Sequence, residues 1–468
     1  MPLTRRCFLR TTAAAALAAA IPGRPTRGAP NRKPNIIVIY TDDQGYADLS
    51  CQGVVDDIRT PHIDRLAGDG VRMTAGYITA PQCVPSRAGL IAGRYQQRFG
   101  VESNRSPLDG FNSQKTLGQR LKSAGYATGM TGKWHLGPAE EIVAHGFDEV
   151  YCTQGRRPWA NVDLDGNPVA AGVADHTPYH LEANRAAACA FIRRHRAEPF
   201  FYYMAFRAPH VPLDAPKKYL DRFPGKMPHR RRQCLAMMSA VDDGVGAVRK
   251  TLRDCGIEEH TLLFFISDNG APLKIHKRDA PGGGPGWDGS LNDPLNGEKG
   301  MLTEGGIRVP FVVTWKGRLP AGRVCEHPVI SLDVTATAVA AAGLAPDPAL
   351  DGANLLPNLT GEVSDPPHEA LYWRWIAQSA VRESKWKLLR GGDREYLFDL
   401  EADKEEKHNL IAQHPDVARR LRAKLDAWAG DLDPPGLATG PMAQTWERYF
   451  DVYLDGKPPP PIRAMPRR

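Results

Sequence analysis

A cysteine stands at the start of a predicted helix over residues 83–94. Pro85 suits the first turn of that helix, and the apolar residues after it predict that one helix face is buried. Cys83 is then expected at the helix N-terminus, where free N–H groups and the helix dipole favour an anion. This position suits a reactive nucleophile, although a lone cysteine is also common as a small core residue.

Four side chains with oxygen atoms follow two predicted buried strands. Asp42 and Asp43 come directly after one strand, and Asp268 and Asn269 come directly after another. Carboxylate and amide oxygens are the hard ligands that calcium and magnesium prefer, whereas zinc favours nitrogen and sulfur. Either pair alone is also typical of turns and helix caps. The four together predict a site for a hard divalent cation.

The strands that must position these groups alternate with helix-like stretches from residue 34 onward, a pattern that predicts a mostly parallel α/β sheet covered by helices. The strands that end in polar groups are predicted at residues 34–40, 126–130, 200–206 and 261–267. Lys133 and His135 follow the second, and His210 follows the third. Ligands bind at the carboxyl ends of such strands, so we expect these groups to converge. Each alone also suits a solvated loop or a strand end.

The chain divides into four predicted parts: an export signal at 1–29, a catalytic domain at 34–345, a smaller unit at 346–435 and an extended tail at 436–468. The boundary near 345 rests on a Gly- and Pro-rich stretch. Four short strand candidates and one helix, residues 415–428, predict a separate α+β subdomain. Residues 278–306 are rich in Gly, Asn and Asp and predict a long loop.

The N-terminus indicates export. Arg5 and Arg6 precede a weakly apolar run at residues 13–21, which is typical of a twin-arginine signal handled by the Tat translocase. The alternative is a membrane anchor, but the run is about half of the roughly 20 residues that a spanning helix needs. No later stretch is long enough either. We therefore expect a periplasmic or secreted bacterial protein.

Charge and cysteine content exclude other classes of protein. The net charge of +7 includes five arginines in the first 29 residues, so removing that segment leaves +2 and no basic face suited to nucleic acid. The eight cysteines show no paired CxxC spacing for structural zinc or an iron-sulfur cluster. Seven remain without the signal, so at least one is unpaired.

The sequence Cys83-x-Pro85-Ser86-Arg87, followed by Gly93-Arg94, resembles the signature of the type I sulfatases of the alkaline phosphatase superfamily. The similarity spans residues 34 to 430. Further matching segments are residues 35–45, 60–66, 132–137, 208–210, 267–270 and 299–310. The resemblance implies an alkaline-phosphatase-like sandwich with a large mostly parallel sheet flanked by helices, and a smaller C-terminal subdomain with an antiparallel sheet.

The same resemblance implies that Cys83 is oxidised to formylglycine by a formylglycine-generating enzyme. The hydrate of this aldehyde has two hydroxyl groups. One attacks sulfur, and the other later expels sulfate by re-forming the carbonyl group, which a serine cannot do. The implied cofactor is one Ca²⁺ ion, with ligands Asp42, Asp43, Asp268, Asn269 and the residue made from Cys83.

The resemblance also implies roles for five further side chains. Arg87 would hold the hydrate, and Lys133 and Lys299 would bind sulfate oxygens, because fixed cations favour the spread charge of the transition state. His135 would act as the base that regenerates the aldehyde, and His210 would hydrogen-bond or protonate the leaving oxygen. Sulfatases use a further small polar residue near the sulfate, and residues 151–154 do not align well enough to assign it.

Two other functions remain open from the sequence. One is a phosphate or phosphonate monoester hydrolase of the same superfamily, and the other is a non-catalytic protein that binds sulfated glycans. For a sulfatase, we expect a sulfated polysaccharide as the substrate, with a small aryl sulfate as the alternative. Trp287, Trp373 and Trp375 are candidates for stacking on sugars, although they are equally suited to the core.

Overall fold

A computed structural model describes residues 32–154, 158–174, 179–273, 287–434 and 446–458. The predicted export signal and the glycine run at residues 282–286 lie outside the described residues. From Lys33 onward, the described chain forms one compact unit. In the described part of the chain, no helix has the length and apolar character that crossing a membrane requires.

Sixteen strands are found in the described residues. In chain order they are β1 (Asn35–Asp42), β2 (Val71–Met73), β3 (Gly76–Tyr77), β4 (Ala127–Gly132), β5 (Glu149–Cys152), β6 (Trp159–Val162), β7 (Pro168–Val173), β8 (Phe200–Pro209), β9 (Thr261–Ser267), β10 (Phe311–Thr314), β11 (Arg323–Cys325), β12 (Val329–Ile330), β13 (Leu371–Trp375), β14 (Gln378–Glu383), β15 (Trp386–Gly391) and β16 (Arg394–Asp399).

Twelve α-helices accompany these strands in the same described ranges. They are α1 (Pro61–Gly68), α2 (Cys83–Ala92), α3 (Asp109–Asn112), α4 (Leu117–Ser123), α5 (His180–Arg194), α6 (Lys217–Leu220), α7 (His229–Asp254), α8 (Glu304–Ile307), α9 (Leu332–Ala341), α10 (Leu356–Thr360), α11 (Pro415–Gly430) and α12 (Trp446–Tyr453).

The large sheet has ten strands in the order β11-β2-β10-β9-β1-β8-β4-β5-β6-β7. Its central strands β9, β1, β8, β4 and β5 are parallel, and β10, β6 and β7 join by antiparallel pairing. Strands buried on both faces carry nearly continuous apolar runs, and β1 is buried along its whole length. The predicted mostly parallel α/β sheet is therefore confirmed.

The two faces of the large sheet support two separate cores. Alternate side chains of a strand point to opposite faces. Ile36 and Val38 belong to the core that also contains apolar residues of α2, α4 and α9, whereas Ile37 and Ile39 belong to the core formed with α1, α5 and α7. This arrangement is the expected sandwich of a sheet between helices.

The C-terminal residues form the predicted small antiparallel sheet. Strands β13 to β16 pair in sequential order, and α11 packs on the sheet. Leu388 and Leu397 of this sheet lie in the same hydrophobic core as one face of the large sheet. Helix α11 begins at its predicted residue and ends two residues beyond its predicted end.

The prediction of an extended tail over residues 436–468 is wrong for the part that forms α12. Helix α12 runs from Trp446 to Tyr453, with Trp446 and Phe450 buried. The ring of Phe450 packs edge-on against Tyr396 of the small sheet. The aromatic spacing at positions 446 and 450 places both rings on one helix face, and burial of that face stabilises the helix. The prolines that follow in the tail had favoured the prediction of an extended chain.

Candidate active site

The polar groups that follow four strands converge at one edge of the large sheet. Strands β9, β1, β8 and β4 are neighbours and parallel, so their carboxyl ends lie side by side. In register, Asp42 lies opposite Pro209, and Gly132 lies opposite Ala205. The predicted convergence is therefore confirmed, and its cause is the parallel pairing of the four strands.

Cys83 begins helix α2 and reaches the same place. Its sulfur lies 3.3 Å from Asp42 Oδ1 and 3.8 Å from Asp43 Oδ1, and Lys299 Nζ lies 3.2 Å from the sulfur. The sequence predicts one buried face for this helix, but all ten residues of α2 are buried. The helix is enclosed because α9 and the core residues of both sheets surround it.

Three cations neutralise the three carboxylates of the site. Lys133 Nζ lies 2.6 Å from Asp42 Oδ2, and Lys299 Nζ lies 2.5 Å from Asp43 Oδ1. Arg87 binds Asp268 at 2.7 Å, with both side chains fully buried. Arg87 Nη1 also donates to the carbonyl oxygen of Lys133 at 3.0 Å.

These contacts set the protonation of the carboxylates. Burial by itself raises the pKa of Asp42, but Lys133 and His210 outweigh it and hold that pKa well below its usual range. Asp268 behaves differently, because burial and the charge of Asp42 raise its pKa to about 6 despite the nearby Arg87. A divalent cation among these groups would relieve the repulsion between Asp42 and Asp268.

The thiol of Cys83 is a poor nucleophile in this setting. Burial, together with the negative charge of Asp268, raises its pKa well above the ordinary value, although Lys133 and Lys299 oppose the shift. Reactive cysteines instead have a lowered pKa and are partly exposed. The site therefore disfavours direct thiolate attack by Cys83.

The two predicted histidines differ in exposure. His210 Nε2 is 3.7 Å from Asp43 Oδ2, its side chain is 28% exposed, and its Nδ1 donates to the carbonyl oxygen of Val211 at 2.5 Å. His135 is more enclosed: burial and the charge of Lys133 lower its pKa to about 3. His135 is thus neutral near pH 7.

Two residues of the site have strained backbones. Asp43 and His135 have φ values of 63° and 62°, in the left-handed region that non-glycine residues rarely adopt. Such residues cost on the order of 1 kcal/mol each and persist where surrounding contacts enforce them. Here Asp268 Oδ1 accepts from the backbone N–H of Asp43 at 3.1 Å.

The residues present fit a hard divalent cation. Asp42, Asp43, Cys83 and His210 each offer a ligand atom, and these atoms lie within 4.8 Å of one another. Asn269 Oδ1 is buried and lacks a hydrogen-bond partner among the described residues, while Asn269 Nδ2 donates to Asp43 Oδ1 at 2.6 Å. An unpartnered buried oxygen beside three carboxylates is the kind of donor that calcium binds.

The structure adds residues to the site that the sequence did not indicate. Gln154 Oε1 accepts from the backbone N–H of His135, so it is the member of residues 151–154 that contacts a predicted site residue. Asn104 Oδ1 accepts from the N–H of Val84, next to Cys83, at 2.9 Å. Neither belongs to a local motif, and only an alignment of related sequences could have signalled them.

The three tryptophans considered for sugar stacking are not exposed. Trp373 is completely buried, Trp375 is 3% exposed and Trp287 is 6% exposed. Trp373 packs against Tyr77 and donates its Nε1–H to the carbonyl oxygen of Ile78 at 2.7 Å. The stacking hypothesis is therefore wrong for these residues, because all three rings are buried, and those of Trp373 and Trp375 belong to the hydrophobic core.

Comparison with known proteins identifies the family. The family model described as Sulfatase matches residues 34–344. The chain belongs to the sulfatase family. A second model, described as the C-terminal part of N-sulphoglucosamine sulphohydrolase, matches residues 297–430. The protein is therefore a sulfatase, an enzyme that hydrolyses sulfate esters, on the scaffold of the alkaline phosphatase superfamily.

Relatives of this sulfatase include enzymes that are named as sugar sulfatases. It is 34% identical over 401 residues to N-acetylgalactosamine-6-sulfatase of Canis lupus familiaris, covering 78% of this chain and 73% of the relative. It is 29% identical over 498 residues to N-acetylgalactosamine-6-O-sulfatase of Bacteroides thetaiotaomicron, covering 86% and 94%.

A solved structure supports the fold of the sulfatase. Ps i-CgsB, whose crystal structure was solved in complex with k-i-k-neocarrahexaose, superposes with a TM-score of 0.77 at 30% identity. The match covers 90% of this chain and 97% of Ps i-CgsB. The alkaline-phosphatase-like fold expected from the sequence is thus confirmed.

Proposed function

We propose that this sulfatase hydrolyses sulfate esters of carbohydrates, using a formylglycine made from Cys83 and one calcium ion. The observation that carries the proposal is the position of Cys83: its sulfur lies within hydrogen-bonding distance of Asp42 and Lys299 at the first residue of a buried helix. A residue there faces carboxylates, cations and helix N–H groups together, which suits an activated oxygen nucleophile.

The metal would be held by the hard oxygen donors at the strand ends. The ligands proposed for it are Asp42, Asp43, Asp268, Asn269 and the residue made from Cys83. A bound calcium ion would supply a Lewis acid that polarises a sulfate oxygen and lowers the pKa of the attacking hydroxyl group. The proposal is supported by the donor set and by the orphaned Asn269 Oδ1.

The modified residue would supply two hydroxyl groups, one for attack on sulfur and one for release of sulfate. The raised pKa of the Cys83 thiol supports this proposal, since an unmodified thiol would remain protonated. Formation of the modified residue needs a formylglycine-generating enzyme as a partner during maturation.

Cations of the site would bind and orient the sulfate group. Lys133 and Lys299 are held on Asp42 and Asp43, and each could share its remaining donors with sulfate oxygens. Arg87, locked on Asp268, would keep the nucleophile in place and offset its charge. Fixed donors of this kind stabilise charge that develops in the transition state without having to reorganise.

The histidines would move the protons. His210 stands on the exposed side, where a leaving oxygen would emerge, and its Nδ1–H is fixed by Val211, so Nε2 is the atom that would protonate the leaving group. His135 is neutral and enclosed, and would accept the proton when the nucleophile is regenerated.

The substrate class follows from the relatives and not from stacking aromatics. Two relatives are N-acetylgalactosamine-6-sulfatases, and the crystal structure of Ps i-CgsB was solved in complex with k-i-k-neocarrahexaose. We therefore favour a sulfated polysaccharide or its fragments, with a small aryl sulfate as a test substrate.

We also propose export through the Tat translocase to the periplasm or beyond. The support is the Arg5-Arg6 pair and the short apolar run after it, which lie outside the described residues. Replacing both arginines with lysine should leave the protein in the cytoplasm of a bacterial host. Unchanged export of that variant would contradict the proposal.

One experiment tests the chemistry. The peptide containing Cys83 is analysed by mass spectrometry, and the same preparation is assayed for sulfate and phosphate release from aryl esters. We expect a loss of about 18 Da at residue 83 together with sulfate release. Release of phosphate alone would favour the phosphate or phosphonate monoester hydrolase, and an unmodified thiol in an active preparation would contradict the formylglycine mechanism.

A further inference from the structure

The backbone that carries Lys299 is placed between the two halves of the site. We define residues 296–304 as the Lys299 segment. The N–H of Lys299 donates to Ala271 O at 3.1 Å, two residues after Asn269, and the N–H of Gly300 donates to Pro81 O at 3.0 Å, two residues before Cys83. Small movements of this segment therefore change the distance from Lys299 to both the proposed metal ligands and residue 83.

The C-terminal sheet is hydrogen-bonded to this segment through one glutamine. Gln378, the first residue of β14, is 1% exposed. Its Oε1 accepts from the N–H of Leu302 at 2.9 Å, and its Nε2 donates to Gly300 O at 3.0 Å. Both hydrogen-bonding groups of this buried side chain thus bind residues that follow Lys299 in the chain.

Helix α12 holds the other end of the segment. Tyr453 Oη donates to Glu298 Oε1 at 3.1 Å, and Asn296 Nδ2 donates to the carbonyl oxygen of Tyr453 at 2.9 Å. Glu298, which directly precedes Lys299, is completely buried. The tail that the sequence predicted to be extended therefore contacts the residue next to a proposed catalytic lysine.

A buried ion pair completes the attachment. Glu304 N donates to Glu406 Oε2 at 2.7 Å, and Lys387 Nζ lies 2.8 Å from Glu304 Oε1 and 2.8 Å from Glu406 Oε1. All three side chains are buried. Contacts from the C-terminal residues thus reach the Lys299 segment at its start, its middle and its end.

We propose that Gln378 and Tyr453 are positioning residues for Lys299, so that the C-terminal sheet and α12 set the place of a sulfate-binding cation. The inference rests on the proposed function of Lys299. A lysine side chain is flexible, so its backbone decides whether its ammonium group can contact Asp43 and residue 83 together. A displacement of about 1 Å at a reacting centre can cost roughly a hundredfold in rate.

Tyr453→Phe is the sharpest variant, because it removes one hydroxyl group and keeps the ring. Tyr396→Phe is its matched control: Tyr396 Oη also donates to a carboxylate of the C-terminal residues, Asp455 Oδ1 at 2.8 Å, but does not contact the Lys299 segment. We expect Tyr453→Phe to lower kcat/KM for an aryl sulfate about tenfold, and Tyr396→Phe to lower it less than about twofold.

A double-mutant cycle shows whether Tyr453 acts through Lys299. In a Lys299→Ala background, Tyr453→Phe should lower kcat/KM by less than about twofold, because the group it positions is gone. Equal losses from Tyr453→Phe in both backgrounds would overturn the inference. Gln378→Ala should behave as Tyr453→Phe does, and it serves as the second variant.

Two further measurements do not depend on turnover. Amide hydrogen exchange of residues 296–304 should be faster in Tyr453→Phe than in Tyr396→Phe. The affinity of Tyr453→Phe for inorganic sulfate should fall about as far as that of Lys299→Ala. If the wild-type protein released no sulfate from sulfate esters, the proposed function would fail. These two measurements would still decide the inference. Unchanged exchange and unchanged sulfate affinity in both Tyr453→Phe and Gln378→Ala would overturn it.

Discussion

Arg87 places two guanidinium nitrogens on a single oxygen of Asp268, with Nε at 3.0 Å and Nη2 at 2.7 Å from Oδ2. The other oxygen, Oδ1, accepts from the backbone N–H of Asp43 at 3.1 Å. Asp268 therefore links the helix that carries Cys83 to the strand end that carries Asp43. Its charge holds the site together even before a cation is considered.

Arg87→Ala should lower the free energy of unfolding by roughly 3–5 kcal/mol, because it leaves the buried Asp268 without its partner. Urea titration in the presence of EDTA measures this loss without a contribution from bound metal. Adding Asp268→Asn should recover part of it by removing the unpaired charge.

Arg98→Ala is the control for this prediction. Arg98 also binds one aspartate, Asp351, at 2.9 Å, but the two side chains are 27% and 17% exposed. Solvent screens such pairs, and we expect a loss of about 1 kcal/mol or less. A loss in Arg87→Ala no larger than this would contradict the structural role assigned to the buried pair.

Cys83→Ala should abolish sulfate ester turnover while leaving the fold intact, since Cys83 is proposed to act only through its side chain. Loss of a nucleophile typically lowers kcat by roughly 10⁴-fold or more. Sulfate release and thermal unfolding are measured together. Cys189→Ala, which changes a buried cysteine of the opposite core, should retain activity. Substantial turnover by Cys83→Ala would refute the proposed mechanism.

Removal of divalent cations should inactivate the enzyme and lower its thermal stability. Calcium should restore both better than zinc, because the proposed ligands are hard oxygen atoms. At a calcium concentration of about 100 times Kd, binding stabilises the folded state by about 2.7 kcal/mol. Titration calorimetry and melting curves with each metal check this, and recovery with zinc alone would favour a phosphatase-type site.

His368 provides a test of pH-dependent stability away from the site. Its Nε2 lies 2.8 Å from Asp333 Oδ1. Burial lowers the pKa of His368, but the charge of Asp333 outweighs burial and raises it above the usual value. The stabilisation by this ion pair is therefore complete below the unfolded pKa of about 6.5 and is lost as pH rises through the raised folded pKa.

His368→Gln should accordingly destabilise the protein more at pH 6 than at pH 9. Urea titrations at the two pH values measure the difference. His229→Gln, which changes an exposed histidine at the start of α7, should give the same small effect at both. A greater loss at pH 9 than at pH 6 would show that the sign is wrong.

Much of the site could be predicted from residue order alone. Asp42, Asp268 and His210 follow strands whose apolar runs are long enough to be recognised, and parallel strands bring such followers to one edge. The Cys83 motif combines a helix start with Pro85 and Arg87 within five residues, so local chemistry identifies the family and the helix together.

Contacts between distant segments were decided only by the tertiary structure. Gln154 contacts His135 through one hydrogen bond, and Gln378 and Tyr453 each contact the Lys299 segment through two. Such bonds across the fold leave no periodic or local pattern in the sequence. The burial of Trp373 and the formation of α12 were decided in the same way, because an aromatic ring serves a core or a surface according to what packs against it. The sequence by itself determined which groups stand at strand ends and at a helix start, since both are local properties. The pairing of the strands and the packing of the two sheets decided that those groups meet and what holds them in place.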